Sequence, residues 1–483
     1  MNPRPIFAGT NMQKLRPMRK LGWLALAASC ATACADNGTS ADAGAGAPSE
    51  VTYWKDMVPL FEQHCLQCHQ EGGIGHGRLD VYAEAKEHAA LIGHYTKARI
   101  MPPWDATSDG SCGDFRGSLA LDDAQIALID AWVEGGAKEG TPGRVNLPAP
   151  DRLQNASDYA LPSYAPVVQG GMLAENDDYH CFMLDANLDA ERFITGYDIV
   201  PGEPEIVHHV LVMVVDPDAP ADLEEASEDL MLPAGATNAQ VMAALDAESP
   251  DEPGWPCWGQ AGDGVFVRST PVVWAPGQGV VHFPGDSGAS LRPNDKLVVQ
   301  VHYNLHDPEL RGKTDETHVL LDLAEHVPNL ALFAVPDALL ESLFDDEPDT
   351  LEPGKESVLY SFKRTVEELD LEDSTGNALA ATRLDELKLW GVMPHMHERG
   401  RKFQMRVQSN AASDLTCAVD VQSWDFHWQR MYFYEKPWEL NADSQFEITC
   451  DYDTSSAQAP VTPGWGTNNE MCLATLFFTV PER

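Results

Sequence analysis

The fold is decided by the stretch EIVHHVLVMVV at residues 205–215, which is apolar apart from Glu205 and two histidines. Pro204 and Asp216 bound this stretch, and β-branched runs of this length between such residues are typical of strands. Similar runs occur later in the chain, at 296–303, 386–393, 403–407 and 473–480. Because no helical periodicity of comparable length competes with them, this part of the chain is predicted to be antiparallel β-sheet.

The strand pattern predicts two jelly-roll-like β-sandwich domains, one at 166–326 and the other at 327–483. Their boundary is expected near 324–328. The acidic stretch at 345–373 interrupts the second domain, and we interpret it as an insertion or a long loop.

A helix-dense segment at 51–140 precedes the strands. Near its end, residues 121–134 place four apolar side chains on one helical face, namely Ile126, Ile129, Trp132 and Val133. Asp122 is available as the N-cap of this helix. A linker with several prolines follows at 141–165. The predicted order is a small all-α domain and then two antiparallel β-sandwich domains.

The N-terminus has the features of an export signal at 1–34. A basic stretch leads into nine mostly apolar residues, 21–29, which are too few to span a bilayer. Small residues precede both Cys30 and Cys34, so either thiol is a candidate for lipid attachment, and cleavage without a lipid is the alternative. Residues 35–50 are predicted to be a flexible linker. We expect an exported protein of the periplasm or cell envelope, with membrane contact only through this anchor.

The formal net charge is −43, and the first twenty residues contain five basic side chains and no acidic one. The rest of the chain is therefore even more acidic than the total indicates. Such a surface repels phosphate backbones, which excludes nucleic acid as a partner. The acidic residues are interpreted as a strongly solvated surface.

Residues 65–69 form a Cys-x-x-Cys-His motif. Cys65 and Cys68 can form two thioether bonds to one haem c, whose iron His69 would then ligate. A zinc half-site would need a second Cys/His pair nearby, and a thiol redox pair gives no reason for the histidine. The motif therefore predicts haem attachment, with electron transfer as the natural role.

The sixth haem ligand is predicted to be Met101, which lies in a proline-flanked loop 32 residues after His69. In this respect the segment resembles class I c-type cytochromes. The alternatives are that Met101 only packs in the core, or that a histidine takes its place; the candidates are His76, His88 and His94.

Five histidines and one methionine stand out in the β-rich part. His208 and His209 are adjacent in one strand, His302 lies in another, and His395 and His397 are spaced i, i+2 so that both face one side of a strand. Met471 precedes the last strand. Imidazole suits copper and zinc alike, whereas thioether sulfur favours Cu(I). Three imidazoles, and two imidazoles with a thioether, would form two metal sites with different redox behaviour.

The order His-His, Gln-Val-His-Tyr, His-x-His and Glu-Met-Cys resembles the copper type II, ascorbate-dependent monooxygenases, over residues 166–483. The resemblance implies two β-sandwiches that face each other across a solvent cleft and hold two copper ions. His208, His209 and His302 would bind the electron-storing copper. His395, His397 and Met471 would bind the oxygen-activating copper, where O2 is used to hydroxylate a substrate C–H bond.

The same resemblance implies two disulfides, Cys181–Cys257 and Cys450–Cys472. Cys112 and Cys417 are then left over. They either bridge the helical segment to the β-rich part, remain unpaired, or pair separately.

Three positions depart from the peptide-amidating members of that family, which place there an arginine, an asparagine and a tyrosine that hold the substrate. Met393, Leu473 and Thr475 occupy them here. Without a guanidinium there is no bidentate clamp for a carboxylate. We therefore expect a small, uncharged or hydrophobic organic substrate. We also expect an external electron donor that reduces the haem. The alternatives are an electron-transfer or copper-binding protein, or another haem-fed copper oxidoreductase.

Overall fold

The structure is a computed structural model, and it describes most of the chain from residue 50 onward. The residues described are 50–483 except 72, 74, 105, 149–150, 154, 169–175, 224–225, 228–229, 258–259, 277, 346, 370, 373–377 and 427. The predicted signal segment 1–34, with Cys30 and Cys34, and linker residues 35–49 lie outside them. No helix in the described part of the chain combines the length and apolar character needed to cross a membrane.

The helices gather mainly before residue 135. They are a π-helical turn Tyr53–Met57, α1 Val58–His64, α2 Tyr82–Glu87, α3 Ala89–Lys97, α4 Asp123–Glu134, and later α5 Asn238–Glu248, α6 Ala338–Glu341 and α7 Ala381–Leu384. Helix α4 begins where its sequence predicts, because the Asp122 side chain accepts from the Gln125 backbone and the Gln125 side chain accepts from that of Asp122. Its buried face packs Ile129 and Trp132 into a small helical core.

The remainder is mostly β-sheet, as predicted. The strands are β1 Ser157–Ala160, β2 Asp177–Asp185, β3 Arg192–Val200, β4 Val207–Val215, β5 Trp255–Pro256, β6 Ser269–Trp274, β7 Val281–His282, β8 Ser287–Leu291, β9 Lys296–Asn304, β10 His318–Ala324, β11 Asn329–Ala334, β12 Val358–Thr365, β13 Lys388–His395, β14 Gly400–Gln408, β15 Thr416–Val421, β16 Tyr432–Glu439, β17 Gln445–Tyr452 and β18 Leu473–Pro481.

These strands form three sheets. A five-stranded sheet has the order β5-β2-β9-β4-β6, and a four-stranded sheet has the order β12-β17-β14-β15. Between them runs a nine-stranded sheet, β1-β10-β3-β8-β11-β18-β13-β16, in which β7 also pairs with β3. One apolar core includes residues of the five-stranded and nine-stranded sheets, and another includes residues of the four-stranded and nine-stranded sheets.

The mostly β-sheet structure is consistent with the predicted β-sandwich domains, and the two halves share the nine-stranded sheet. The joining pair is parallel, with Asn329 opposite Ser287 and Leu330 opposite Gly288. Backbone hydrogen bonds therefore continue from one half into the other. Met393 and Phe477 of the second half also lie in the core of the first half. Residues 50–483 form one compact unit.

Two stretches expected to be irregular contain strands. Residues 157–160 of the predicted linker form β1, which pairs with β10. The acidic stretch 345–373 contains β12, which pairs with β17 along all eight of its residues. In β12 the exposed and half-buried side chains alternate, so its acidic surroundings coexist with a strand at a sheet edge.

A segment that follows the helices α1–α3, residues 106–116 and here called the strap, packs on the second β-half. Ala106 forms a bridge with Val421, and Phe115 forms one with Tyr434. Cys112 forms a disulfide with Cys417. Of the alternatives left open for these two cysteines, the structure has the bridge between the helical segment and the β-rich part.

Candidate metal centre

Three imidazoles from two neighbouring strands converge on one point. The Nδ1 atoms of His208 and His209 are 3.3 Å apart, and each lies 3.2 Å from Nδ1 of His302. Within the described residues, these three form the one group of three or more His, Cys, Asp or Glu side chains whose ligand atoms are close enough to share a metal ion.

A β-bulge brings the first two histidines together. Adjacent residues of a regular strand point to opposite faces, so His208 and His209 should diverge. In the pairing of β4 with β9, however, Val207 lies opposite Tyr303 and His209 lies opposite His302. His208 is therefore an extra residue in the ladder, and the local kink turns its ring toward the same side as that of His209.

The triangle of nitrogens fits a metal ion. Three atoms separated by about 3.2 Å lie about 1.9 Å from a common centre, close to the metal–nitrogen distance of about 2.0–2.1 Å in zinc–imidazole sites. Burial, together with the neighbouring imidazoles, lowers the pKa of His209 well below its usual value. A neutral ring leaves a lone pair available for a metal.

The outer nitrogen of His302 is held by a carboxylate. Its Nε2 lies 3.1 Å from Oδ1 of Asp177, which also accepts from Asn304 at 2.9 Å, while Oδ2 accepts from the Thr467 hydroxyl at 3.0 Å. Burial opposes ionisation of Asp177, but the hydrogen bonds from His302 and Thr467 leave its pKa below the usual value. The ring of Tyr179 stacks on His302 with centroids 4.0 Å apart. These contacts fix the His302 ring so that its Nδ1 faces the Nδ1 atoms of His208 and His209.

His395 and His397 form a second imidazole pair, with ring centroids 5.1 Å apart and planes at 90°. Strand β13 ends at His395, so strand alternation does not itself place His397, which corrects the prediction that both lie on one strand face. Nδ1 of His395 is 2.6 Å from Oε1 of Gln429, and Nδ1 of His397 is 3.1 Å from the Asn469 carbonyl oxygen. Both Nδ1 atoms donate, which leaves each Nε2 with a free lone pair.

Burial lowers the pKa of His395 to about 4 and that of His397 to about 3. Both rings are therefore neutral at pH 7, in the form that binds metals.

Glu470 connects the His397 segment to Met471. Its fully buried carboxylate accepts from the backbone N–H groups of His397 at 2.9 Å and Arg399 at 2.7 Å. It also accepts from the backbone of Met471, although burial raises its pKa to about 8. Met471 itself is buried, and its carbonyl oxygen accepts from the Tyr452 hydroxyl at 2.7 Å.

The two imidazole groups adjoin each other. The rings of His209 and His395 have centroids 6.5 Å apart. Phe426 lies beside both groups, since its ring is 4.5 Å from that of His208 and 6.0 Å from that of His397. The halves that carry these two groups share the nine-stranded sheet.

The three positions predicted to line a substrate pocket are buried next to this cluster. Met393 pairs with Thr475, and His395 pairs with Leu473, between β13 and β18. The exposed fractions are 4% for Met393, 9% for Leu473 and 4% for Thr475. All three side chains lack a charge, so they offer only apolar and hydroxyl contacts.

The Cys-x-x-Cys-His motif follows α1. Cys65 and Cys68 are free, whereas the six other described cysteines form disulfides. Nδ1 of His69 lies 3.1 Å and 3.2 Å from the carbonyl oxygens of His76 and Gly77, so Nε2 is the nitrogen left for a ligand. Burial raises the pKa of the Cys68 thiol, and the positive charge of nearby Arg430 acts in the opposite direction.

Met101 and the three histidines considered as alternative haem ligands lie at different places in the helical segment. Met101 is 38% exposed, in the loop after α3. Nδ1 of His88 lies 2.9 Å from the Glu84 carbonyl oxygen, and the ring of His94 lies against that of Tyr95. His76 lies beside His69, through its backbone.

The two disulfides implied by the resemblance, Cys181–Cys257 and Cys450–Cys472, are confirmed. Three disulfides in one chain indicate an oxidising, extracytoplasmic compartment.

Sequence reasoning missed three residues that orient the imidazoles, namely Asp177, Gln429 and Glu470. Glu470 had a signal, since it belongs to the Glu-Met-Cys motif beside a candidate ligand. Asp177 and Gln429 had none, because each reaches its histidine through pairing of distant segments.

Residues 373–481 match the family model of the copper type II ascorbate-dependent monooxygenase, C-terminal domain. The chain is 24% identical over 220 residues to DBH-like monooxygenase protein 1 of Gallus gallus, covering 45% of this chain and 34% of that one. It is 24% identical over 313 residues to putative DBH-like monooxygenase protein 2 of Homo sapiens, covering 64% and 54%. The chain thus spans about a third to a half of these curated relatives. These matches support copper and a monooxygenase-type oxidoreductase at family level.

Proposed function

We propose that this chain is an exported copper monooxygenase that hydroxylates a C–H bond of an organic substrate with O2 and takes its electrons through a haem c attached to its helical segment. The observation that carries the proposal is the triangle of Nδ1 atoms of His208, His209 and His302, with a second imidazole pair beside it. The family match of residues 373–481 supports copper as the metal.

In this proposal the two imidazole groups have different tasks. His208, His209 and His302 hold one copper through Nδ1, with nitrogen ligands only. His395 and His397 hold the other through Nε2, with Met471 as the thioether ligand that favours Cu(I). Bound copper supplies one-electron redox chemistry and the binding of O2. Phe426, 7% exposed, covers one side of both groups and excludes water there.

The haem proposal rests on the state of the motif residues. Two unpaired thiols spaced for thioether bonds, and a histidine whose Nδ1 is already held by backbone carbonyls, fit a c-type haem. We assign Met101 as the sixth ligand. The strap and Arg430 bring this helical segment against the β-half that contains His395. In this proposal an external donor reduces the haem, and the haem passes the electrons on one at a time.

The substrate is proposed to be small and uncharged or hydrophobic, because Met393, Leu473 and Thr475 contribute no charge beside the second imidazole pair. The location is proposed to be the periplasm or cell envelope, with a lipid anchor at Cys30 or Cys34. Mass spectrometry of the N-terminus of the mature protein tests the anchor.

Metal analysis and spectroscopy test the function. The purified chain is expected to bind two coppers and one covalent haem, and replacing Cys65 and Cys68 by serine should abolish the haem. The haem is then reduced without oxygen, and O2 is added with a mixture of candidate metabolites. We expect haem oxidation together with a product one oxygen atom heavier.

Two outcomes would contradict parts of this proposal. A haem that stays reduced while product forms would exclude it as the electron source. Oxygen uptake that needs no substrate and yields only peroxide would instead identify an electron-transfer or copper-binding protein.

A further inference from the structure

We propose that the segment 428–430, here called the connector, links the copper ligand His395 to the loop at 101–104 beside the haem motif. Through this link the helical segment holds His395 in its orientation. The inference rests on the proposed function, because it takes His395 as a ligand. It goes beyond that function by stating how the helical segment acts on the copper site apart from any electron it supplies.

The first step is the contact between Gln429 and His395. Gln429 is buried, and Nδ1 of His395 lies 2.6 Å from its Oε1. The amide nitrogen of Gln429 donates to the Phe426 carbonyl oxygen at 2.9 Å, so the amide cannot turn without losing this bond. Its oxygen therefore faces His395 and requires a proton on Nδ1. This selects the tautomer whose Nε2 can bind metal.

The second step is the anchoring of the connector on both sides of Gln429. The Nε1–H of Trp428 donates to the Pro103 carbonyl oxygen at 2.8 Å. The guanidinium of Arg430 lies 4.8 Å from the ring centroid of Trp104, within the range of a cation–π contact. Pro103 and Trp104 belong to the loop that contains Met101.

The third step is the rigidity of what the connector is anchored to. Trp104 is 7% exposed, and its ring packs edge-on against Tyr432 with centroids 5.2 Å apart. The strap that follows is bonded to β15 through Thr107, whose N–H donates to the Asp420 carbonyl oxygen at 2.7 Å, and through the Cys112–Cys417 disulfide. The loop that receives Trp428 and Arg430 is therefore itself fixed.

The three consecutive side chains of the connector thus contact two different parts of the protein. Those of Trp428 and Arg430 contact the loop beside the haem motif, and that of Gln429 between them contacts His395. A displacement of the loop would move the backbone of Gln429, because residues on both sides of it are held there. The orientation of His395 therefore depends on the docked loop.

Copper titration and EPR of the full-length protein test the inference. Gln429→Leu removes the acceptor, and Gln429→Glu keeps one. We expect Gln429→Leu to weaken Cu(I) binding at the His395 site about 10–100-fold, measured by competition with a chromophoric chelator. Gln429→Glu should weaken it less, because Glu keeps the acceptor for His395 although it loses the amide donor to Phe426. The Cu(II) spectrum of the His208 site should be the same in both variants.

The role of the loop is tested with Trp428→Phe, alone and combined with Arg430→Leu. These substitutions replace no histidine, yet we expect a several-fold loss of Cu(I) affinity and a changed nitrogen hyperfine pattern at the His395 site. Trp54→Phe is the matched control, since Trp54 Nε1 donates to Glu139 in the same helical segment, away from the connector. Thermal unfolding of each variant verifies the fold. If the double variant fails to fold, the result for Trp428→Phe alone decides whether the loop positions His395.

Wild-type affinity and spectrum in Trp428→Phe and the double variant would overturn the positioning by the loop. An unaffected Gln429→Leu would overturn the whole inference. If the wild-type protein itself bound no second copper, the proposed function would fail instead, and the two failures are thereby distinguished.

Discussion

Oδ1 of Asp177 lies 3.1 Å from Nε2 of His302, and both side chains are almost completely buried. The pair joins the start of β2 to β9 across the first imidazole group. A carboxylate behind a histidine fixes the ring orientation and increases its basicity toward a metal. The geometry of the nitrogen triangle thus depends on a carboxylate that is not itself one of the three converging side chains.

Asp177→Asn is expected to weaken copper binding at the His208 site about 10–100-fold, because the amide keeps the shape but loses the charge. Copper titration followed by EPR measures the effect. Asp178→Asn is the control, since the Asp178 carboxylate accepts from Tyr164 and Val167 rather than from His302. Equal loss of copper in both variants would show that the effect is general destabilisation.

Glu470→Gln is expected to reduce copper binding at the His395 site and to lower the free energy of unfolding by about 2–3 kcal/mol. An amide offers one acceptor oxygen, whereas the two side-chain oxygens of Glu470 accept from two different backbone N–H groups, those of His397 and Arg399. Chemical denaturation and copper titration measure the two effects. Glu398→Gln, at an exposed position nearby, should change neither. Normal copper binding in Glu470→Gln would show that Glu470 does not hold the ligand segment.

His180 is expected to make the protein less stable in acid. Burial lowers its pKa from 6.5 to about 4, and the hydrogen bond to the Pro253 carbonyl oxygen offsets only part of this shift. Between pH 4 and 6.5 the unfolded chain binds more protons at this position, so stability rises with pH and the contribution is complete above 6.5. The difference across this window is at most about 3 kcal/mol.

The test compares wild type with His180→Phe in denaturation curves between pH 4 and 7. The phenyl ring keeps the stack on Tyr164 and removes the titration, so the variant should lose less stability in acid. Asp178, whose pKa burial raises to about 6, acts in the opposite direction in both proteins and cancels in the comparison. Identical pH profiles would contradict the prediction.

Replacing Cys112 and Cys417 by serine is expected to destabilise the protein by about 2–4 kcal/mol, because the disulfide links residues 305 positions apart. The strap should also become accessible to proteases, with cleavage within 106–116 detected by mass spectrometry. If the strap stays resistant, its backbone contacts with β15 and β16 suffice to hold it.

Several features follow from the sequence alone. The β-branched runs identify the strands because such side chains pack well on a pleated surface, and Asp122 and Gln125 mark the start of α4 through a local capping exchange. The Cys-x-x-Cys-His motif and the histidine pairs at 208–209 and 395–397 could likewise be read from their spacing, whereas the grouping of His302 and Met471 with these pairs came from the resemblance to a family. The strands, the cap and the short motifs depend on residues within a few positions of one another.

Tertiary structure alone decided the rest. The bulge at His208 depends on the register between β4 and β9, and the approach of His209 to His395 joins two segments that are far apart in the sequence. The partner of Cys112, the pairing of β12, and the orienting contacts of Asp177 and Gln429 also join distant segments. Local composition does not specify such contacts, because they arise only when backbone hydrogen bonds and apolar cores bring separate parts of the chain together.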